Sequence, residues 1–331
     1  MKNDRLTIVI PVYNVESYLP ECLSRLSVDN CKIVLVNDGS TDNSGIICQR
    51  FAIEHAKNVI LVNKRNGGLS DARNCGIEYV RTEYVFFLDS DDFIDISVLY
   101  DGLRFAIEND LDWLQLGYAY LYKDNVMLGW KYPINPLVIK DKAKIISMLV
   151  SNSMIKNFAW GKLYRTSTIK NILFPKGKFY EDAFWQYKVI DKSNRFGIYP
   201  AVATYYRQRT DGLSSVISLR HLDLLDGMIQ RLEYIKLKFP QIAPDAAFDL
   251  WINIQELMTG SKGTDIHHIF LDREMQIKNK YGELIKEGIG KLGFIKRTIN
   301  KVRFFNKEYE LSIGLIERMI DRISSSTLKK I

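Results

Sequence analysis

Cysteine and histidine are both scarce in this chain of 331 residues, four of each. Cys22, Cys31, Cys48 and Cys75 all fall in the first quarter, without a CxxC pair or a nearby histidine at zinc spacing. That excludes a zinc ribbon and leaves the thiols as small buried hydrophobes in a reducing compartment. With only 8 prolines and 20 glycines, long flexible linkers are excluded as well. Nowhere does an uncharged apolar run reach the roughly 18 residues of a membrane span. The first apolar run, Leu6 to Val12, is short and holds Pro11, so no signal peptide is expected and the expected address is the cytoplasm. Internal repeats and low-complexity tracts are absent too. What is present is enough apolar material for a sizeable core, 47% of residues with 12% aromatic, in a chain long enough for one large or two ordinary domains. The net charge of +7 is unevenly placed, because residues 262–331 hold 15 Lys and Arg against 9 Asp and Glu.

The first hundred residues alternate between two periods. Leu6 to Val12, Lys32 to Val36, Val59 to Asn63 and Tyr84 to Leu88 are β-branched or aromatic runs of strand length. Between them, Tyr18 to Leu26, Ile46 to Ala56 and Leu69 to Val80 have helical spacing. Strand and helix in strict alternation predict a parallel sheet with right-handed crossovers, which binds ligands at the carboxyl ends of its strands. A strand is expected over Asp112 to Tyr122, then a hairpin through Lys123, Asp124 and Asn125 to Trp130. Helices are expected near Lys140 to Val150 and Tyr180 to Asp191, and a strand near Ile198 to Tyr206. After Gly212 the pattern is mainly helical, with a boundary between Leu213 and His221.

Polar segments that follow strands carry the chemistry. DSDD, Asp89 to Asp92, follows the run YVFFL. If the strand persists, Asp89 and Asp91 share one face, and two carboxylates there repel unless a cation or ligand hydroxyls answer them. Mg²⁺ or Mn²⁺ suits such a pair, which it commonly shares with a substrate diphosphate. The plainer reading makes these acids caps for a helix starting near Asp95 to Ser97. NDGSTDNS, Asn37 to Ser44, reads equally as a turn with a helix cap, or as a site where Asp38 accepts a hydrogen bond from a nucleobase. NGGLSDARN, Asn66 to Asn74, offers backbone N–H groups near a helix start and the Arg73 guanidinium, a set suited to phosphate. It is neither a GxxxxGK[ST] loop nor a GxGxxG fingerprint.

Taken in order, IVIPVYN, VNDGSTDNS, N-x-GLSDARN-x-G and FFLDSDD resemble the N-terminal half of glycosyltransferase family 2, whose members have the GT-A fold. The resemblance is close over residues 5 to 95. It continues more weakly through AWGKLYR (Ala159 to Arg165), FYEDAFW (Phe179 to Trp185) and YYRQRTDGLS (Tyr205 to Ser214). It implies an α/β, mostly parallel sheet flanked by helices over residues 1–214, with a nucleotide-binding half (1–95) and an acceptor half (96–214), then a helical region (215–331). By the same resemblance Pro11, Tyr13 and Glu16 border the nucleotide, Asp38 reads its base, Arg73 lies near it, and Asp89 is near ribose or metal. Asp91 becomes the metal ligand, with Asp92 a second candidate because DSDD has two registers. Asp182 of the Glu181–Asp182 pair becomes the catalytic base.

The chemistry is consistent with that assignment. Displacement at an anomeric carbon needs one base for the acceptor hydroxyl and charge compensation for the leaving diphosphate. A hydrolase would need a second carboxyl across the bond. The expected activity is therefore an inverting, metal-dependent transfer from a nucleotide sugar, UDP-linked, to a saccharide or lipid-linked saccharide in surface polysaccharide synthesis, with Mn²⁺ or Mg²⁺ as cofactor. Trp160, Lys162 and Arg207 or Arg209 are further candidates for acceptor or diphosphate contact, against a plain role in core and surface. His221 lies near the region where some members carry a metal-binding histidine, but in no matching motif.

The C-terminal region adds a basic amphipathic pattern. Ile285, Ile289, Leu292, Ile295, Ile299, Val302 and Phe305 trace one helical face, and residues 286–303 hold six basic residues against Glu287. This fits an anionic membrane surface or a helix laid on its own domain, and no nucleic-acid motif accompanies it. Two rival functions remain: a haloacid-dehalogenase-type phosphatase, which would want Thr or Val at Asp92, and a non-enzymatic membrane or nucleic-acid adaptor.

Overall fold

The computed structural model describes residues 5–122, 125–128, 133–208 and 216–298. The chain divides into two compact units, Met1–Ser215 and Val216–Ile331.

The first unit begins with strands β1 (Leu6–Val12), β2 (Lys32–Asn37), β3 (Val59–Asn63) and β4 (Tyr84–Phe87), joined by helices α1 (Leu19–Ser24), α2 (Ser44–Glu54) and α3 (Leu69–Glu78). All four strands are parallel, in the order β3-β2-β1-β4. The chain therefore runs outward from β1 through β2 to β3, then returns to the other side of β1. That reversal opens a crevice past the carboxyl ends of β1 and β4, the usual ligand site of such sheets. Pro11 fits there for a simple reason. Val9 turns its carbonyl to β4 and accepts the Leu88 N–H at 3.1 Å. Pro11, two residues on, faces the same way but lies past the end of β4, so its missing N–H leaves no ladder bond unmade.

The rest of this unit extends the sheet. Its elements are β5 (Phe93–Ile94), α4 (Ile96–Glu108), β6 (Trp113–Tyr122), β7 (Asn125–Leu128), β8 (Leu137–Ile139), α5 (Lys142–Val150), β9 (Lys162–Arg165), α6 (Thr166–Ile169), α7 (Asp182–Lys192) and β10 (Phe196–Arg207). The sheet continues from β4 as β9-β6-β10-β5, with β7 on β6 and β8 on β10. Strand β9, hidden within AWGKLYR, lies antiparallel to both β4 and β6 and makes the sheet mixed. The parallel β6–β10 register slips on both sides of Val202, next to Pro200, which has no N–H to give the ladder. The hairpin after β6 forms as expected between Tyr122 and Asn125, while its turn and Trp130 lie outside the described residues. Between sheet and helices the core is dry: Ile8, Ile10, Leu35, Phe86, Leu99 and Leu116 are all fully buried. Cys22, Cys31 and Cys48 share that interior as free thiols, and burial pushes Cys31 up to about 11 and Cys48 up to about 12.

The second unit holds α8 (His221–Lys238), α9 (Ala243–Gly260) and α10 (His267–Thr298). Leu225, Leu232, Ile254, Phe270 and Ile277 form its apolar interior, in which Arg231 is buried but paired with Asp249 at 2.7 Å. The expected basic face of α10 is divided. Ile285 is buried in the unit, Ile289 is exposed, and Lys291 reaches back to the Gln241 carbonyl and to Asp245. The side chains of Leu292, Ile295, Ile299, Val302 and Phe305 lie outside the described residues. No helix among the described residues is long and apolar enough to cross a membrane.

Candidate active site

At the end of β4 the strand stops at Phe87, and the Asp92 N–H closes a turn onto the Asp89 carbonyl at 3.1 Å. The strand alternation expected to align Asp89 with Asp91 is therefore absent, and a turn sorts the acids instead. Asp92 points into the fold. It is 1% exposed, accepts the Arg207 N–H at 2.8 Å, and burial raises its carboxyl well above the ordinary range. Of the two candidate metal ligands, Asp92 is thus the inward one, with Oδ1 held by backbone, and Asp91 the more accessible. Capping falls to another acid: Asp95 caps α4 by accepting from Ser97 N–H and Val98 N–H. Asp89 and Asp91 are left as the half-buried carboxylates of the turn.

Asp89 faces Arg73. One guanidinium nitrogen, Nη2, donates to Asp89 Oδ1 at 2.8 Å, while Nη1 donates to Glu181 and reaches Asp182 Oδ1 at 3.4 Å. Arg73 is 1% exposed and lies 5.4 Å from the centre of the Phe174 ring. Burial disfavours its charge, but Asp89, Glu181 and Asp182 outweigh that penalty and hold it protonated. Both terminal nitrogens of Arg73 are taken by carboxylates, one of them Asp89, the residue the family resemblance puts near ribose or metal. Through Arg73, three acids from segments far apart in sequence meet at one edge of the sheet.

Asp182 opens α7 with 18% of its side chain exposed. Burial, then the neighbouring Glu181 charge, push its carboxyl up to about 8, against the pull of Arg73 and Lys162. A carboxyl raised toward neutrality accepts a proton more readily than an ordinary one, which is what a general base at neutral pH requires.

At the end of β2, Asp38 is 2% exposed and fully engaged. It accepts from Lys64 Nζ at 2.5 Å, from Gly67 N–H at 3.0 Å and from Gly68 N–H at 2.8 Å. The N–H groups expected to cradle a phosphate thus fold the NGG loop onto Asp38, with Gly68 at φ +84° allowing the turn into α3. A base N–H reaches Asp38 only by displacing the Lys64 ammonium. Lys64 also pairs with Asp71 at 2.6 Å, a partnership that no local sequence signal announces. Glu16 is exposed and accepts Asn43 N–H at 2.8 Å, so it braces the loop after β2. Tyr13, just past β1, is 48% exposed.

Lys162, Arg207 and Trp160 all have partners within the protein. Lys162 is fully buried and donates to the Lys156 carbonyl at 2.8 Å and to the Phe158 carbonyl, while burial pulls its ammonium down to about 7. Its ammonium holds the loop that precedes β9. Arg207 donates to the Asp91 carbonyl at 3.0 Å and to Glu21 at 2.6 Å, so it secures the DSDD turn against α1. Trp160 is 7% exposed and stacked on Phe158 at 3.7 Å. Arg209 lies outside the described residues.

For a divalent cation the donor chemistry fits. Asp89 and Asp91 are hard oxygen donors in one turn, and among the described residues no third His, Cys, Asp or Glu completes a protein cage around them. Mg²⁺ and Mn²⁺ accept that arrangement, taking one or two carboxylates and filling the remaining positions with phosphate oxygens and water.

Comparison with known proteins gives this geometry a family. The profile of Glycosyl transferase family 2 matches residues 7–191. Glycosyltransferase GlyA of Streptococcus pneumoniae is 33% identical over 242 residues, which is 70% of this chain and 34% of GlyA. The teichoic acid biosynthesis protein GgaB of Bacillus subtilis is 28% identical over 65% of this chain and 24% of its own length. The chain thus spans about a third of one relative and a quarter of the other. Among solved structures, Staphylococcus aureus TarS 1-349 in complex with UDP-GlcNAc superposes with a TM-score of 0.60 at 20% identity, covering 86% of this chain and 92% of that one. That likeness speaks for the fold, which is GT-A. The phosphatase reading does not survive a profile match that contains Asp38, Asp89, Asp91 and Asp182. This chain belongs to glycosyl transferase family 2.

Proposed function

We propose that the protein transfers a sugar, with inversion and with a divalent metal, from a UDP-sugar to a saccharide or lipid-linked saccharide of a surface polysaccharide. The observation that carries this reading is the Arg73 bridge, which joins Asp89 of the DSDD turn to the Glu181–Asp182 pair. It sets a carboxylate suited to metal or ribose and a candidate base at the same crevice, the pairing that displacement at an anomeric carbon requires.

In this reading Asp91, with Asp89, holds the cation, and Tyr13 and Pro11 border the nucleotide at the end of β1. Asp38 receives the base once Lys64 swings aside, and Glu16 keeps the neighbouring loop in shape. A cation held there would supply charge compensation for the leaving diphosphate. Asp182 takes the proton of the acceptor hydroxyl as its oxygen bonds to the anomeric carbon. The carbon–oxygen bond to the diphosphate breaks on the opposite face, so configuration inverts and UDP departs. Surface polysaccharide is favoured by the relatives, of which GgaB is a minor teichoic acid biosynthesis protein and TarS a poly(ribitol-phosphate) β-N-acetylglucosaminyltransferase. We place the reaction in the cytoplasm at the inner face of the cell membrane, where residues 286–303 would meet anionic lipid.

The test is a panel of UDP-, GDP- and dTDP-sugars scored by thermal stabilisation and nucleotide release, with Mn²⁺ and with EDTA. The reading expects stabilisation and release with UDP-sugars in Mn²⁺ only. A preference for another nucleotide corrects the donor. Equal release in EDTA contradicts the metal assignment.

A further inference from the structure

Helix α3 carries the motif S-D-A-R-N, and three of its polar side chains reach the same distant segment, residues 174–182. Arg73 holds Glu181 and Asp182, as described. Asn74, one residue on and 5% exposed, grips both backbone groups of Phe174: its Nδ2 donates to the Phe174 carbonyl at 2.9 Å, and its Oδ1 accepts the Phe174 N–H at 2.8 Å. Asp71, one turn before Asn74, pairs with Lys176 at 2.5 Å.

The gripped segment is a loop between α6 and α7 with unusual backbone. Residues 176–179 are exposed, Gly177 has φ +71°, and Tyr180 adopts the left-handed region at φ +52°, unusual for a bulky residue. At the start of α7 the N-cap residue Glu181 makes no side-chain cap, because its carboxylate goes to Arg73 instead of the helix backbone. Phe174 then transmits the hold. Its ring stacks on Trp185 at 4.2 Å, and Trp185, one turn into α7, donates its Nε1–H to the Ile172 carbonyl at 2.6 Å. Asn74 fixes Phe174, Phe174 fixes Trp185, and Trp185 fixes the helix that begins at Asp182.

We propose that α3 is the positioning element for the base, with Asn74 and Asp71 as positioning residues that touch neither donor nor acceptor. The proposal rests on the reading of Asp182 as the base. Misplacing a reacting group by about 1 Å suffices to cost turnover up to about 10²-fold, so a hold of this kind is visible in kinetics.

The experiment uses the full chain with Mn²⁺ and a panel of UDP-glucose, UDP-galactose and UDP-N-acetylglucosamine, reading UDP release. Asn74→Ala should lower kcat about tenfold and leave the donor KM within about twofold. On an Asp182→Asn background the same substitution should cost nothing further, because the base it positions is gone. Lys176→Met breaks an exposed pair with little threat to folding, and should give a smaller loss in kcat with the same signature, rescued by Lys176→Arg. Amide hydrogen exchange should rise over residues 174–186 in Asn74→Ala and stay unchanged over residues 84–92. A raised donor KM in Asn74→Ala, an equal loss on both backgrounds, or unchanged exchange over 174–186 overturns the proposal. Full turnover in Asp182→Asn alone instead overturns the base assignment on which it rests.

Discussion

In residues 5–95, Asp38, Asp89 and Asp91 each stand a few residues past the carboxyl end of a parallel strand, placed by the strand that precedes them. In residues 96–208 the key carboxylate, Asp182, opens a helix and is held by Arg73, which belongs to the other half and lies 109 residues earlier in the chain. The first half builds its part of the site from local order; the second builds its part from packing. A turn after a strand needs only a few neighbouring residues to form. The start of α7 needs a buried aromatic nest of Phe87, Tyr164, Phe174 and Trp185, assembled from four separate segments. Damage to the two halves should accordingly be felt in different observables.

The largest effect is expected at Asp182. Asp182→Asn keeps the size of the side chain and its bond to Arg73 but cannot take a proton, so kcat should fall by about 10²-fold or more with donor KM little changed. Steady-state kinetics decides, and a loss confined to donor KM would erase the distinction between the halves. Next comes Trp185→Ala. Trp185 is fully buried, so truncation should destabilise the first unit by about 3–5 kcal/mol, read as a lower denaturant midpoint. A loss below about 1 kcal/mol would mean that the second half does not depend on its aromatic nest.

A smaller effect concerns pH. As the proposed base Asp182 would work ionised, and its carboxyl is raised to about 8, first by burial and then by Glu181, so turnover should climb with pH through that region. Glu181→Gln removes the like charge and should move the midpoint of that climb to lower pH, a milder change than loss of the base. The pH profile of kcat checks the sign. Movement to higher pH would indicate that Glu181 acts on Asp182 chiefly through Arg73.

Legibility from sequence follows the same division. β1 to β4 and the turns after them could be read because alternation of strand and helix is a local signal, and DSDD and NDGS lie where that signal ends. The argument that aligned Asp89 with Asp91 fails for a physical reason: the strand stops at Phe87 and a turn takes over, so Asp92 goes inside. The hold of Arg73 on Glu181 and of Asn74 on Phe174 has no local signal, because these partners are 100 or more residues away and a motif carries no record of such a distance. β9 escaped notice because it has four residues and begins with Lys162, a charge that argues against a buried strand until its carbonyl partners are seen. The Asp38–Lys64 pair was equally silent, since nothing in NKRNGG marks one lysine as the partner of a carboxylate on the neighbouring strand.

The most direct test of the division is calorimetry of UDP with Mn²⁺ on the unaltered protein, Asp91→Asn and Asp182→Asn. Asp91→Asn removes the proposed anionic ligand from the first half and should lose most of the metal-dependent affinity. Asp182→Asn should bind UDP within about twofold of the unaltered protein, because the base acts on the acceptor and not on the nucleotide. Unchanged affinity in Asp91→Asn, or an equal loss in both variants, would contradict a site in which one half holds the donor and the other moves the proton.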